Sequence, residues 1–209
     1  INEKKVDLTF CNLKILGSSH GLNPDDNEIA ELLKAFITRK IKLNLQTILF
    51  TRDLVKKFKF DEELMKAQDL DFIYEVLRAE PTYSFTNKIL CELRLHEQRI
   101  SNDYQKFNKR AIFSSIKVKE KILFNEYKHV IGKEQRALLH QYTYELRLLL
   151  VIFEIRLFFY YLNRLKKRSF ITWAAYFGFT FKFTFIAIKE RFKNIKRSVV
   201  NLIKQSLLK

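Results

Sequence analysis

The sequence predicts an α/β fold for residues 1–103 and an all-helical region for residues 104–209. In the first region, short apolar runs typical of strands alternate with short helical segments, which indicates an α/β arrangement. The second region has helical periodicity and no strand signals. The whole chain contains only four glycines and two prolines, a composition that favours long helices over a loop-rich β-sandwich.

Strand and helix signals follow one another along the first region. Apolar and aromatic residues predict strands over residues 6–16, 45–50, 83–85 and 89–95. Helical segments are predicted over residues 28–36, 52–57 and 68–79. Asn27 is a suitable N-cap for the first of them, and Pro81 explains the end of the last. These strands are too few for a complete doubly wound sheet.

Long helices are predicted throughout the second region. The first begins after its N-cap, Asp103, and ends near residue 128. Gly132 marks a break, after which one helix covers residues 134–167 and another begins at Ser169. All of them are rich in Phe, Tyr and Leu.

The positive charge is concentrated at the end of the chain. The formal net charge is +16, and residues 164–209 contain twelve Lys and Arg but one acidic residue, Glu190. Such a segment attracts anions, either phospholipid headgroups or nucleic acid. We expect a membrane and no nucleic acid, because the chain has no helix-turn-helix glycine turn, zinc-binding spacing or aromatic RNA-binding pattern.

The last helix is predicted to lie on an anionic membrane surface without crossing it. The longest uncharged stretch in the tail, residues 169–181, has thirteen residues, whereas a spanning helix needs about 20. The basic face of the helix contains Lys182, Lys189, Lys193, Lys196, Arg197 and Lys204. The apolar face contains Phe185, Ile188, Phe192, Ile195, Val199 and Leu202. An amphipathic helix packed on its own domain shows the same stripe, so this alternative stays open.

The two cysteines, Cys11 and Cys91, lie in apolar runs. We expect them to be buried thiols that behave as small apolar side chains. No CxxC pair is present, which argues against a zinc ribbon or a redox site and agrees with a reducing compartment.

The most informative stretch covers residues 47–71, with the sequence TILFTRDLVKKFKFDEELMKAQDLD. A predicted strand comes first, and Arg52 follows it. The triplet Phe60-Asp61-Glu62 comes next, and the pair Gln68-Asp69 opens a predicted helix.

A second motif lies about twenty-five residues further along the chain. There a predicted strand leads into Arg94, His96 and Ser101, in an R-x-H-x-x-x-x-S pattern. In their order and spacing, the two motifs resemble the acceptor-side signature of glycosyltransferase family 2. The resemblance covers residues 4–103.

This resemblance implies a partial GT-A-like mixed sheet, the C-terminal half of an inverting catalytic domain. In that family the second residue of the (E/Q)D pair is the catalytic base, and it corresponds to Asp69. A base at this position takes the proton of the acceptor hydroxyl as its oxygen attacks the anomeric carbon. On its residues alone, Asp69 is better explained as a helix N-cap, and the two roles are compatible.

The resemblance also implies roles for the neighbouring residues. The acceptor side is expected to contain Arg52, Asp61, Glu62 and Gln68. Asp61 and Glu62 are expected to shape the acceptor-side loop. Arg94 and His96 are expected to face the diphosphate, because cations there offset the charge that develops as the bond breaks. A loop histidine bonded to backbone explains His96 equally well.

The nucleotide-binding half of the family, with its D-x-D metal motif, has no counterpart in these residues. Asp69-Leu70-Asp71 matches D-x-D in letters but is predicted to open a helix, and Asp25-Asp26 follows no strand. We therefore assign no metal ligand here, and we expect Mg²⁺ or Mn²⁺ to bind to a nucleotide-binding half that precedes these residues in a longer chain. Without that half, this chain is expected to bind a sugar nucleotide poorly and to be inactive.

These patterns predict part of a glycosyltransferase for surface polysaccharide synthesis. It would transfer a sugar from a nucleotide-sugar donor to a glycan or lipid-linked acceptor. The basic tail is expected to hold it on the inner, cytoplasmic face of the cell membrane, near a lipid-linked acceptor. The alternatives are a degenerate, non-catalytic scaffold and a basic helical protein that binds nucleic acid.

Overall fold

The computed structural model describes residues 6–16, 31–94, 108–152, 154–185 and 188–189. These residues form a mixed α/β structure with a three-stranded sheet followed by long helices. The predicted order of strands and short helices first, then long helices, is confirmed. Several residues of interest lie outside the described ranges: Asp25, Asp26, Asn27, His96, Ser101 and Asp103.

The sheet has the strand order β2-β1-β3. Its strands are β1 (Leu8–Ile15), β2 (Ile48–Phe50) and β3 (Tyr83–Leu93). The central strand, β1, pairs antiparallel with β2 and parallel with β3, so the sheet is mixed. Most of the β1 side chains are buried, and Leu8 and Phe10 belong to the core that the sheet shares with the helices.

The strand predicted over residues 45–50 is shorter than expected. Residues 45–47 form a single 3₁₀ turn, and pairing with β1 begins at Ile48. The cause is Thr47, whose N–H and hydroxyl both donate to the Asn44 carbonyl, at 2.8 Å each. A backbone held in this turn cannot extend alongside β1.

The two strands predicted over residues 83–85 and 89–95 are one strand, β3. Its register against β1 shifts near the middle, and the shift accommodates polar residues that interrupt the apolar pattern. Asn12 Nδ2 donates to Asn87 Oδ1 at 2.9 Å within this irregularity. The sequence pattern therefore breaks where the strand itself continues.

The helices are α1 (Leu32–Ile37), α2 (Arg52–Val55), α3 (Gln68–Arg78), α4 (Lys109–Glu126), α5 (Lys133–Val151), α6 (Ile155–Lys167) and α7, described over residues 173–185 and 188–189. Of these, α2 and α3 lie where they were predicted, and α1 is the described part of the helix predicted from residue 28. The start of α4 is later than expected. Asn108 caps it by accepting hydrogen bonds from the N–H groups of Arg110 and Ala111.

The prediction of a single helix over residues 134–167 is wrong, because the helix is interrupted between the end of α5 at Val151 and the start of α6 at Ile155. A straight helix of that length would extend for roughly 50 Å and leave the core behind. Dividing it lets Leu149 of α5 and Phe158 of α6 both be fully buried in the same core. The predicted break at Gly132 is confirmed, and its positive φ of 56° is a conformation that glycine adopts readily.

The last helix, α7, begins at residue 173 rather than at Ser169. Ser169 has a φ of 58°, so it lies in the left-handed region and ends the α6 segment. Thr172 then caps α7 by accepting a hydrogen bond from the Ala175 N–H at 3.2 Å. In the described part of the chain, no helix is both long enough and apolar enough to span a membrane.

One hydrophobic core joins the sheet and the long helices. Its most buried members include Phe10, Tyr74, Ile112, Ile116, Leu146, Leu149, Phe158 and Leu162. The predicted boundary at residue 103 lies outside the described residues, and the residues described on either side of it share this core. The position of α3 is therefore fixed by the long helices as well as by the sheet.

Candidate functional site

The loop between α2 and α3 carries the predicted acceptor-side triplet. Asp61 Oδ1 accepts a hydrogen bond from the Glu63 N–H at 3.0 Å, which closes a tight turn. The Phe60 ring stacks on Phe72 of α3, with ring centroids 4.4 Å apart and an interplanar angle of 11°. Gln68 Nε2 donates to the Leu64 carbonyl at 2.6 Å and fixes the end of the loop.

Side chains of helix α4 bond to this loop. Lys117 Nζ lies 3.0 Å from Asp61 Oδ2 and 3.4 Å from Glu63 Oε2. The hydrogen bond from Lys117 lowers the pKa of the Asp61 carboxyl, and the same contact raises the pKa of Lys117. One turn earlier, Ser114 Oγ accepts a hydrogen bond from the Met65 N–H at 2.9 Å. A helix of the second region thus positions the predicted acceptor-side loop of the first.

Asp69 lies in the first turn of α3 but is not its N-cap. That position belongs to Ala67, which has a left-handed φ of 66° and no capping side chain. The N-cap explanation of Asp69 is therefore wrong. The Asp69 side chain is exposed, and it makes no hydrogen bond or ion pair within the described residues.

Asp71, two residues later, is directed away from Asp69. It is only 6% exposed, and its Oδ1 lies 2.7 Å from Lys121 Nζ on α4. Lys121 also contacts Glu75 at 2.7 Å. Asp71 therefore serves to join α3 to α4, as the helical spacing of the two aspartates suggests.

The residues described here do not fit a divalent metal. Asp69 and Asp71 do not converge, because one is exposed and the other is paired with Lys121. Across the described ranges, no three His, Cys, Asp or Glu side chains form a group that could hold a metal ion. The binding of Mg²⁺ or Mn²⁺ that the resemblance implies stays a prediction.

The other predicted site residues with described positions are exposed. Arg52 opens α2, whose N-cap Thr51 accepts a hydrogen bond from the Leu54 N–H at 3.4 Å. Glu62 lies in the acceptor-side loop, and Arg94 directly follows β3. Among the described residues, these three have no hydrogen bond or ion pair through their side chains. They are available for a ligand, but no direct contact joins them to Asp69.

A cavity of about 420 Å³ lies next to the Asp69 and Arg94 segments. Leu70, which follows Asp69, and Leu93, which precedes Arg94, both line it. The remaining lining comes from α1, the segment after it, α4 and α5: Phe36, Ile37, Arg39, Ile41, Lys42, Leu43, Asn44, Lys119, Ile122, Leu138 and Gln141. We call it the basic cavity, because its lining contains basic residues and no acidic one. Such a lining suits an anionic group.

The basic side chains of this cavity were not predicted from the sequence. Arg39 and Lys42 belong to the run Arg39-Lys40-Ile41-Lys42, which could have signalled an anion site. Arg39 has a left-handed φ of 62° at the turn that follows α1. The end of α1 is held in place by Gln141 Nε2, which donates to the Ile37 carbonyl at 2.8 Å.

Lys119 lines the cavity and is buried. It forms an ion pair with Glu145, and both side chains are almost inaccessible to solvent. Burial lowers the pKa of Lys119, the nearby charges of Arg39 and Lys66 lower it further, and Glu145 opposes the shift. Glu145 Oε2 has no hydrogen-bond partner in the described part of the protein. The pair therefore adds no net charge to the cavity wall, and its burial carries a substantial cost in desolvation.

A second cavity, of about 580 Å³, lies between α1 and the C-terminal ends of α3 and α4. Its lining includes Arg78, Glu126 and His129 but none of the predicted site residues. Tyr74 beside it donates to Glu126 Oε1 at 2.6 Å, so the Glu126 carboxylate is committed to a structural contact. The basic cavity is thus the stronger candidate for a functional site.

Asp69 and Arg94, which are far apart in sequence, are each adjacent to a residue that lines the basic cavity. Asp61 and Gln68 shape the loop that leads to Asp69, and His96 lies outside the described residues.

Comparison of the chain with protein-family models, with curated proteins and with solved structures found no match.

Proposed function

We propose that this chain is the acceptor-side part of an inverting glycosyltransferase, with Asp69 as its catalytic base. The observation that carries the proposal is the basic cavity, which is lined by the neighbours of both Asp69 and Arg94. In this proposal the Asp69 carboxylate is the proton acceptor, and the cations of the basic cavity attract a phosphorylated substrate. The donor would be a nucleotide sugar, and the acceptor a glycan or lipid-linked glycan of a surface polysaccharide.

The state of Asp69 suits a general base. Its carboxylate is exposed and has no partner among the described residues, so an acceptor hydroxyl can approach it. In the proposed step, the acceptor oxygen bonds to the anomeric carbon while its proton passes to the Asp69 carboxylate. The bond from the anomeric carbon to the donor phosphate breaks, and its electron pair leaves with the nucleotide diphosphate.

The surrounding side chains supply charge and shape in this proposal. Arg94, Arg39 and Lys42 would stabilise the negative charge of the departing diphosphate. Arg52 and Glu62 are exposed and would contact the acceptor. The bonds made by Asp61 and Gln68 support a positioning role, because they fix the loop that precedes Asp69.

The test is the rate of sugar transfer by Asp69→Asn in the complete gene product. Asn is nearly isosteric with Asp but cannot take the acceptor proton, so we expect the initial rate to fall by on the order of 10²–10⁴-fold. Asp53→Asn is the matched control, because Asp53 is also an exposed aspartate in the first turn of a helix. Its rate should stay within about twofold of the wild type.

The outcome separates the proposed function from its alternatives. Near-normal transfer by Asp69→Asn would refute the role of this residue. Equal losses in Asp69→Asn and Asp53→Asn would point to a general effect of charge. Absence of transfer by the wild-type protein, over a range of nucleotide sugars, would favour the non-catalytic scaffold.

A further inference from the structure

Helix α7 exposes a continuous apolar stripe. Its members are Trp173, Phe177, Phe181, Phe185 and Ile188, which are 61%, 55%, 78%, 70% and 50% exposed. Spacings of four and three residues place them on one side of a helix. We call this stripe the aromatic face. Single exposed apolar residues are ordinary in proteins, but five on one face indicate an interaction surface.

The opposite side of α7 packs into the core of the protein. Phe183 is 5% exposed, and its ring stacks on Phe179 with centroids 5.7 Å apart. Ala175 and Tyr176 also contact the core. Packing of the helix on its own domain therefore explains the inward stripe, and it leaves the aromatic face exposed on the other side of the helix.

Positive charge surrounds the aromatic face. Residues 164–189 contain six Lys and Arg and no acidic residue. Lys182 and Lys189 are exposed, and with about 100° per residue they lie roughly 40–60° around the helix from Phe185. Lys166 Nζ lies 4.9 Å from the centroid of the Trp173 ring. The cations therefore border the apolar surface instead of lying opposite to it.

We propose that the aromatic face docks into the headgroup region of an anionic phospholipid bilayer. Trp and Phe side chains would insert at the boundary of the acyl chains, while the bordering lysines reach the lipid phosphates. The charge of this segment disfavours a second copy of the same chain, since two basic surfaces repel each other. A nucleic acid backbone would satisfy the lysines but leave the phenyl rings in water. A bilayer accommodates both the lysines, at the lipid phosphates, and the aromatic rings, at the acyl chains.

The test measures the partition of the 209-residue chain onto vesicles by co-sedimentation. Vesicles of phosphatidylcholine with phosphatidylglycerol are compared with vesicles of phosphatidylcholine alone. Phe181→Ser with Phe185→Ser should lower partition by about 10- to 100-fold, because two large apolar side chains no longer insert. Both rings are largely exposed, so the melting temperature should not change. Leu49→Ser with Leu90→Ser is the matched control, because both leucines are exposed apolar residues of the sheet, at 73% and 65%.

Charge is tested separately. Lys182→Gln with Lys189→Gln should weaken binding to the anionic vesicles by about 25-fold, roughly fivefold for each lysine, and should not affect the neutral ones. Equal partition of the aromatic and sheet double variants would overturn the proposal. So would retention on DNA or RNA without vesicle binding, or a dimer in solution that the Phe181 and Phe185 substitutions dissociate. No sugar donor is present, so the result does not depend on the proposed transfer reaction.

Discussion

Asp71→Asn is expected to destabilise the protein, whereas Asp69→Asn is expected to leave its stability almost unchanged. The two residues are separated by one position on α3, but only Asp71 is buried and paired with Lys121. Comparing the two substitutions therefore tests whether Asp71 has a structural role that Asp69 lacks.

The magnitude follows from the surroundings of each carboxylate. Breaking a fully buried ion pair costs about 3–5 kcal/mol, and exposed pairs contribute about 0.2–1 kcal/mol. The Lys121 side chain is 37% exposed and keeps its contact with Glu75, so an intermediate cost of about 1–2 kcal/mol applies to Asp71→Asn. For Asp69→Asn only the attraction to the helix dipole is lost, which is about 0.5 kcal/mol.

Urea unfolding and thermal unfolding at pH 7, both followed by far-ultraviolet circular dichroism, measure the two changes. For a chain of this length the melting temperature should fall by about 2–8 °C for Asp71→Asn and by about 2 °C or less for Asp69→Asn. A double-mutant cycle with Lys121→Met tests the cause, since Asp71→Asn should cost less once Lys121 is absent. The reasoning is refuted if Asp69→Asn costs as much as Asp71→Asn, or if the cycle shows no coupling.

Two further predictions concern titration and thiol reactivity. Lys117 lowers the pKa of Asp61, so this carboxylate contributes stability that is fully present above its unfolded pKa and is lost as the pH falls through the lower native value. Asp61→Asn should therefore reduce the dependence of the unfolding free energy on pH below about pH 4. Urea titrations at several acidic pH values measure this dependence, and the same dependence in the variant and the wild type would contradict the prediction. Iodoacetamide should alkylate Cys91 before Cys11 in the native protein, because burial raises the pKa of the Cys11 thiol and limits access to it. Peptide mass spectrometry over time measures the order, and earlier labelling of Cys11 would exclude this arrangement.

The elements that were predicted well have complete local signals. Helix α3 has an apolar period on one face, and Pro81 ends the segment. The division between α5 and α6 has no such signal, since neither Gly nor Pro lies near residue 152. That turn depends on which surfaces the two helices must bury, and this is a property of the tertiary structure.

The candidate site shows the same division between local and long-range information. The position of Asp69 in the first turn of α3 could be predicted from its neighbours. The burial of Asp71 could not, because its partner Lys121 lies 50 residues later in the chain. The basic cavity likewise brings together Arg39 and Lys119, which are joined by no motif.

The contacts made by one side of α4 have a consequence for how this protein can be divided. Ser114, Lys117 and Lys121 are spaced by three and four residues, and all three bond to the loop or to the helix that carries Asp69. The segment formed by α2, this loop and α3 is therefore not a self-contained module, even though the predicted acceptor-side motifs lie within residues 1–103. A chimera that transplants the loop between α2 and α3 into another protein has to carry α4 along with it, because without this helix the loop loses its contacts with Ser114 and Lys117.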